Sequence, residues 1–224
     1  MAGEPETLHV HEPLQKRIER HDYDRLLMLS DGVFAIAITL LALDLQLPQH
    51  WDGSWEGLMS VTGRPLLGYL FGFGLVGVFW FMHRRMFARL EQVDRVITIL
   101  NLLLLGLVGL TPFVARMIAE AGPNRALPFY FVAVSSVLAS IALMRGWAVM
   151  RPGLLHAEVD RRRWRIEVIL AAIGAIGLAT VGALSIAEHQ PVGTNFLLVV
   201  MVLVATARLL TRAKGGQMSS TSRP

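Results

Sequence analysis

Ser30 and Asp31 stand directly before an apolar run, Gly32–Leu47, that carries Thr39 at mid-depth and Asp44 near its far end. Hydroxyl and carboxylate groups in such a setting have two uses: they coordinate a passing cation, or they hydrogen-bond a neighbouring helix. Each has a simpler reading beside it. Ser30 and Asp31 suit an N-cap with acidic charge at the positive end of a helix dipole. The Thr39 hydroxyl suits a bond back to the carbonyl of Ala35. Asp44 brackets the run on its far side.

Catalytic arrangements are otherwise missing. The chain has no cysteine, which excludes disulfides, thiolate metal sites and a cysteine nucleophile. It has no phosphate-binding glycine loop, no H-E-x-x-H and no G-x-S-x-G. No carboxylate falls at mid-membrane in the second to sixth apolar runs, where a protease or proton-coupled carrier needs one. No enzyme, cofactor or resident metal is expected.

Composition sets the class. Of the 224 residues 54% are hydrophobic and 17% charged, and the mean hydropathy is +0.51. Soluble domains carry about 25% charged residues, so a soluble globular enzyme is ruled out. Six apolar runs follow one another: Gly32–Leu47, Pro65–Met82, Val96–Ala115, Ala126–Met144, Val168–Ala187 and Val192–Ala207. A membrane helix needs about 20 apolar residues, and an all-α membrane protein with six transmembrane helices is expected. Residues 1–24 read as a polar tail, 25–210 as one membrane domain and 211–224 as a second tail. The N-terminus is acidic first and lacks an apolar core, so it is not a cleavable signal peptide.

Charge gives the orientation. Eighteen of the 21 Lys and Arg flank the N-terminus, the second-to-third and fourth-to-fifth connections and the C-terminus; Arg64, Arg116 and Arg125 alone flank the other side. Basic flanks stay in the cytoplasm, which puts both termini on the cytoplasmic side of the cell membrane. The net charge of +4 then reflects topology, and no nucleic-acid partner is expected.

With that orientation, Asp31, Trp80, His83 and Asn101 share one inner-leaflet layer. Asn101 needs hydrogen bonds that lipid cannot supply, and His83 is the expected partner of Asp31. A polar knot joining the inner ends of three helices follows. On a helical wheel with Ile36 at zero, Gly32, Thr39, Leu40, Leu43 and Leu47 all fall within about 60° of it, and Asp31 points nearly the opposite way. The first helix is apolar all round, so periodicity alone does not select this stripe. Gly68, Gly72, Gly74 and Gly77 in the second run, and Ala171, Gly174, Ala175, Ala179 and Gly182 in the fifth, suit close helix packing. Pro112 either kinks the third helix or marks its outer end. The stretch Arg151–Arg165 reads as a cytoplasmic loop whose charge sets topology, with anionic-lipid binding as the alternative.

The string RLLMLSDGVFAIAITLLALDLQL at Arg25–Leu47 resembles the first-helix signature of bacterial members of the transmembrane protein 175 family, relatives of the lysosomal potassium channel. The family pattern R-x-x-x-F-S-D is met by Arg25, Ser30 and Asp31, with Leu29 in place of the phenylalanine. The resemblance implies a potassium-permeable homotetrameric channel in the plasma membrane, with the first helices lining a central pore. It places the hydrophobic constriction at Ile36, Leu40 and Leu43 and the pore threonine at Thr39, and in such a pore Asp44 flanks the outer mouth, either to concentrate cations or to pair with Arg64 or Arg116. It assigns Arg25, Ser30 and Asp31 to a structural network that the Trp80, His83 and Asn101 layer resembles. Its implied partners are potassium ions, further copies of the chain and the lipid bilayer. The alternatives are a secondary transporter, which usually shows repeated halves and interrupted helices, and a non-conducting structural membrane protein.

Overall fold

The protein is described here by a computed structural model covering residues 14–47 and 51–187. The expected sixth run, Val192–Ala207, and the tail from residue 211 lie outside the described residues.

Among the described residues all the regular elements are helices: α1 (Leu14–Leu40), extended by a 3₁₀ turn at Leu41–Asp44, α2 (Trp55–Phe87), α3 (Arg95–Gly109), α4 (Thr111–Ala121), α5 (Pro123–Met150) and α6 (Arg161–Ala187). Five stretches among the described residues are long and apolar enough to cross a membrane: Arg20–Leu43, Trp55–Phe87, Arg95–Ile118, Asn124–Met150 and Arg161–Ala187. They coincide with the first five expected runs, and the chain is a multi-pass membrane protein. α1 begins at Leu14 and runs unbroken past residue 25, so the boundary expected there between tail and membrane domain is not a break in the helix.

Helix ends follow from capping chemistry. Ser54 caps α2 by accepting from the Gly57 N–H at 3.0 Å. Asp52 accepts from the Ser54 hydroxyl at 2.7 Å and from its N–H at 2.9 Å; these bonds, the hydroxyl foremost, hold its carboxyl below the usual value. Asp94 caps α3 through the Ile97 N–H at 2.8 Å. The third span is broken at Leu110, and Pro112 sits in the first turn of α4, where a missing N–H costs nothing. Pro112 therefore starts a new helix inside the span.

α1 packs on α2 and α3, α2 on α4, and α5 along α6. Two glycines permit these approaches. A Cβ on Gly72 would stand 2.8 Å from Leu41 Cδ2, and one on Gly182 would stand 2.8 Å from the Pro128 carbonyl oxygen. Gly74, Gly77 and Gly174 meet nothing within 4 Å and do no such packing. The core joins Phe34, Ala37 and Leu41 of the α1 segment to Val76, Phe79 and Phe87 of α2 and to Leu104 and Val108 of α3.

Candidate functional site

The buried face of α1 is set by Leu26, Ser30, Phe34, Ala37 and Leu41, a stripe at three- and four-residue spacing. Within it the Ser30 hydroxyl donates to the Leu26 carbonyl at 2.8 Å and accepts from Asn101 Nδ2 at 2.9 Å. Asn101 Oδ1 is 2.8 Å from His83 Nε2. Because the amide oxygen can only accept, His83 carries its hydrogen on Nε2. Ser30, His83 and Asn101 have no solvent exposure at all. The imidazole stacks on Phe87, centroids 4.3 Å apart, with Phe34 tilted against it at 5.5 Å.

Asp31 turns the other way. Its Oδ1 accepts from Trp80 Nε1 at 2.8 Å, and the Arg84 guanidinium lies 5.4 Å from the centre of the Trp80 ring. The expected Asp31–His83 pair is therefore replaced by two: Asp31 with Trp80, and His83 with Asn101. Consecutive helical residues point about 100° apart, so Ser30 and Asp31 cannot serve one partner. Ser30, Asp31, Trp80, His83 and Asn101 are thus brought together in the knot. Arg25 is exposed, and among the described residues no hydrogen bond or ion pair joins it to the others. A further tie to α1, from the Tyr23 hydroxyl to the Phe87 carbonyl at 2.8 Å, carried no signal in the sequence beyond a polar tip on an aromatic ring.

The opposite side of α1 is free of the chain's own core. Ile36 is 59% exposed, Leu40 42% and Leu43 68%. The Thr39 hydroxyl donates to the Ile36 carbonyl at 2.9 Å, one residue on from the expected Ala35. Its hydrogen being used, Thr39 presents only lone pairs outward. Asp44 ends the 3₁₀ turn, and its side chain lies outside the described residues. α1 is therefore a two-sided helix, anchored by polar bonds on one side and presenting an apolar stripe with one hydroxyl layer on the other.

A second polar cluster was not legible in the sequence. Glu167 Oε2 is 2.9 Å from Arg89 Nη1 and 3.7 Å from Arg145 Nη1, and Oε1 is 4.0 Å from Arg163 Nε. Trp164 is buried between Arg89 and Arg145, ring centres 5.5 and 5.8 Å from the guanidiniums, and donates to the Arg145 carbonyl at 2.9 Å. Asp94 accepts from Trp147 Nε1 at 2.8 Å. Part of Arg151–Arg165 is therefore structural, since Leu154, Leu155 and Trp164 are core residues. Beside this cluster lies a cavity of about 820 Å³ lined by Arg89, Glu91, His156, Glu158, Arg163 and Trp164, among others. Glu167→Gln leaves nearly buried Arg145 without a counter-charge; a loss of about 2 kcal/mol is expected, less than for a fully enclosed pair because Arg89 reaches solvent. A lower unfolding temperature in detergent checks it.

Spanning helices tied near one end by a buried Ser–Asn–His chain, with one face of the first helix outside the core, define an all-α multi-pass membrane protein. Residues 25–112 match the family model described as the endosomal/lysosomal potassium channel TMEM175. The chain is 36% identical over 181 residues to a potassium channel of Streptomyces collinus, covering 74% of this chain and 86% of that one. It is 30% identical over 156 residues to the human endosomal/lysosomal proton channel TMEM175, covering 66% of this chain but only 30% of the human protein. The crystal structure of a lysosomal potassium-selective channel TMEM175 homolog from Chamaesiphon minutus superposes with a TM-score of 0.64 at 26% identity, over 83% of this chain and 98% of that one. The chain belongs to the TMEM175 family, which is a family of channels and not of enzymes.

Proposed function

We propose that this protein is a potassium-permeable cation channel of the plasma membrane, in which a homotetramer gathers α1 around a central pore. Ile36, Leu40 and Leu43 form its hydrophobic constriction, Thr39 its polar layer and Asp44 its outer mouth. The observation that carries this reading is the two-sided α1: one face is bonded into the core, the other is exposed and carries the stripe. Lipid alone would not need a hydroxyl layer there. Both termini are cytoplasmic in this reading, and Val192–Ala207 supplies a sixth span.

From Ile36 to Leu43 the stripe runs about 10 Å at 1.5 Å per residue. A narrow apolar passage of that length closes by expelling water, with no moving plug. Opening moves α1 as a unit, because the Ser30, Asp31 and Tyr23 bonds hold its inner end against α2 and α3. At the polar layer, Thr39 oxygens with their hydrogens turned back to the helix replace part of an ion's hydration shell.

The test is potassium flux from liposomes holding the purified protein, compared with sodium flux and with empty liposomes. Gradient-driven potassium flux above the empty control is expected; none under any gradient overturns the proposal. Thr39→Ala is expected to keep conducting but to lose potassium-over-sodium preference by about fivefold, the effect of roughly 1 kcal/mol of lost hydroxyl coordination.

A further inference from the structure

We propose that the ion path continues along α1 beyond Ile36 toward the N-terminal end of the helix, with Leu29 as an inner apolar ring and Asp22 as the residue that neutralises Arg25 at its mouth and so lets cations enter. This rests on the channel reading above. Leu29, Ile36 and Leu43 recur at seven-residue intervals, and on the wheel they fall within about 40° of one another. That interval is the one that keeps a single seam facing a common axis when helices wrap around each other. All three are exposed, Leu29 at 48%. Gly32, between Leu29 and Ile36, has nothing within 4 Å of where a Cβ would stand, so the face stays open there.

Asp22 continues the same seam one interval further and is exposed. Arg25 lies on the same line, also exposed, and its charge opposes cation entry. Asp22, three residues before it, is its helical neighbour and offsets that charge at the mouth. His21 flanks the line and is exposed. Asp24 points about 120° away from Ile36, and Asp31 is turned to Trp80; neither faces the path. Leu29 thus occupies the family's phenylalanine position on the seam and not in the core.

The absence of cysteine lets single cysteines report alone. Leu29→Cys, Asp22→Cys, Ile36→Cys and Met28→Cys channels in planar bilayers would be exposed, on the side of the N-terminus, to a trimethylammonium methanethiosulfonate. Current through Leu29→Cys and Asp22→Cys is expected to fall at least about fivefold, as fixed positive charge enters the path. Met28→Cys, 65% exposed but about 100° round the helix, should be modified without effect on current. Leu29→Cys and Asp22→Cys modified by mass yet unchanged in current, with Ile36→Cys blocked, overturns this inference and leaves the channel reading standing. If modified Ile36→Cys also conducts unchanged, the path does not run along this face of α1, and the pore lining proposed above fails with the inference while conduction itself stands. Should Leu29→Cys carry no current before the reagent, Asp22→Asn decides: current from that side should drop about threefold at low salt and little at high salt, and no drop overturns the proposal.

Discussion

Leu43→Asn is expected to carry potassium at least about tenfold faster than the unmodified protein, because an amide at the proposed apolar ring would keep water in place and remove roughly 1.4 kcal/mol or more of a dewetting barrier. Asparagine and leucine are close in size, so the effect tests polarity more than width. Leu43 is 68% exposed and outside the core, and the variant should fold and reconstitute normally. Selectivity is expected to fall as conductance rises, since a wetted ring no longer forces ions to shed water near Thr39. Leu41, two residues earlier, gives the contrast: it is 1% exposed and packs against Gly72. Leu41→Asn should reduce folded yield and leave no gain in flux. Equal potassium flux from Leu43→Asn and wild-type liposomes sinks the constriction.

Asn101→Leu is the second large effect, and it acts on the anchored side of α1. The substitution removes the acceptor of His83 Nε2–H and the donor to Ser30 Oγ at a site with no solvent. Interhelical hydrogen bonds in membranes average only about 0.6 kcal/mol, but an enclosed ring N–H left with no acceptor adds its own desolvation cost of about 1–3 kcal/mol. A total near 3 kcal/mol is expected, read as a lower unfolding temperature in detergent and as lost flux. Pairing Asn101→Leu with His83→Phe removes the stranded donor and keeps a ring between Phe34 and Phe87. The double variant should recover much of the stability, since replacing both partners by apolar groups can be nearly neutral. A double variant no more stable than Asn101→Leu alone would mean that the knot is not what holds α1.

How much of this was legible beforehand differs from residue to residue. That Asp31, Trp80, His83 and Asn101 share a layer is a matter of depth, and depth follows from counting residues along spans of nearly fixed length. Which of them pair is a matter of rotation about each helix axis. α2, apolar around most of its circumference, has no polar face to declare that rotation. The approach of Gly72 to Leu41 brings α2 against α1, where Trp80 meets Asp31, and α3 brings Asn101 to both His83 and Ser30. Arg25 was grouped with this network by its motif, and the tertiary structure leaves it on the exposed side.

The stripe through Ile36, Leu40 and Leu43 could be drawn on a wheel, yet an equally apolar stripe existed on every other side of α1. Burial of Phe34, Ala37 and Leu41 took one other side into the core and left this stripe among the exposed residues. The Glu167 cluster stayed hidden because arginines beside a membrane span read equally well as topology signals; only the folding of the loop at Leu154 and Leu155 onto Leu90 and Glu91 brings Arg89 to Glu167. By itself, then, the sequence determined the class and the first five spans, because the bilayer sets lengths and penalises unsatisfied polar atoms whatever the neighbours are. Partner choice, the break at Leu110 and the free face of α1 were decided by tertiary packing, because contacts between apolar helices rest on shape complementarity, which no one helix carries in its own pattern.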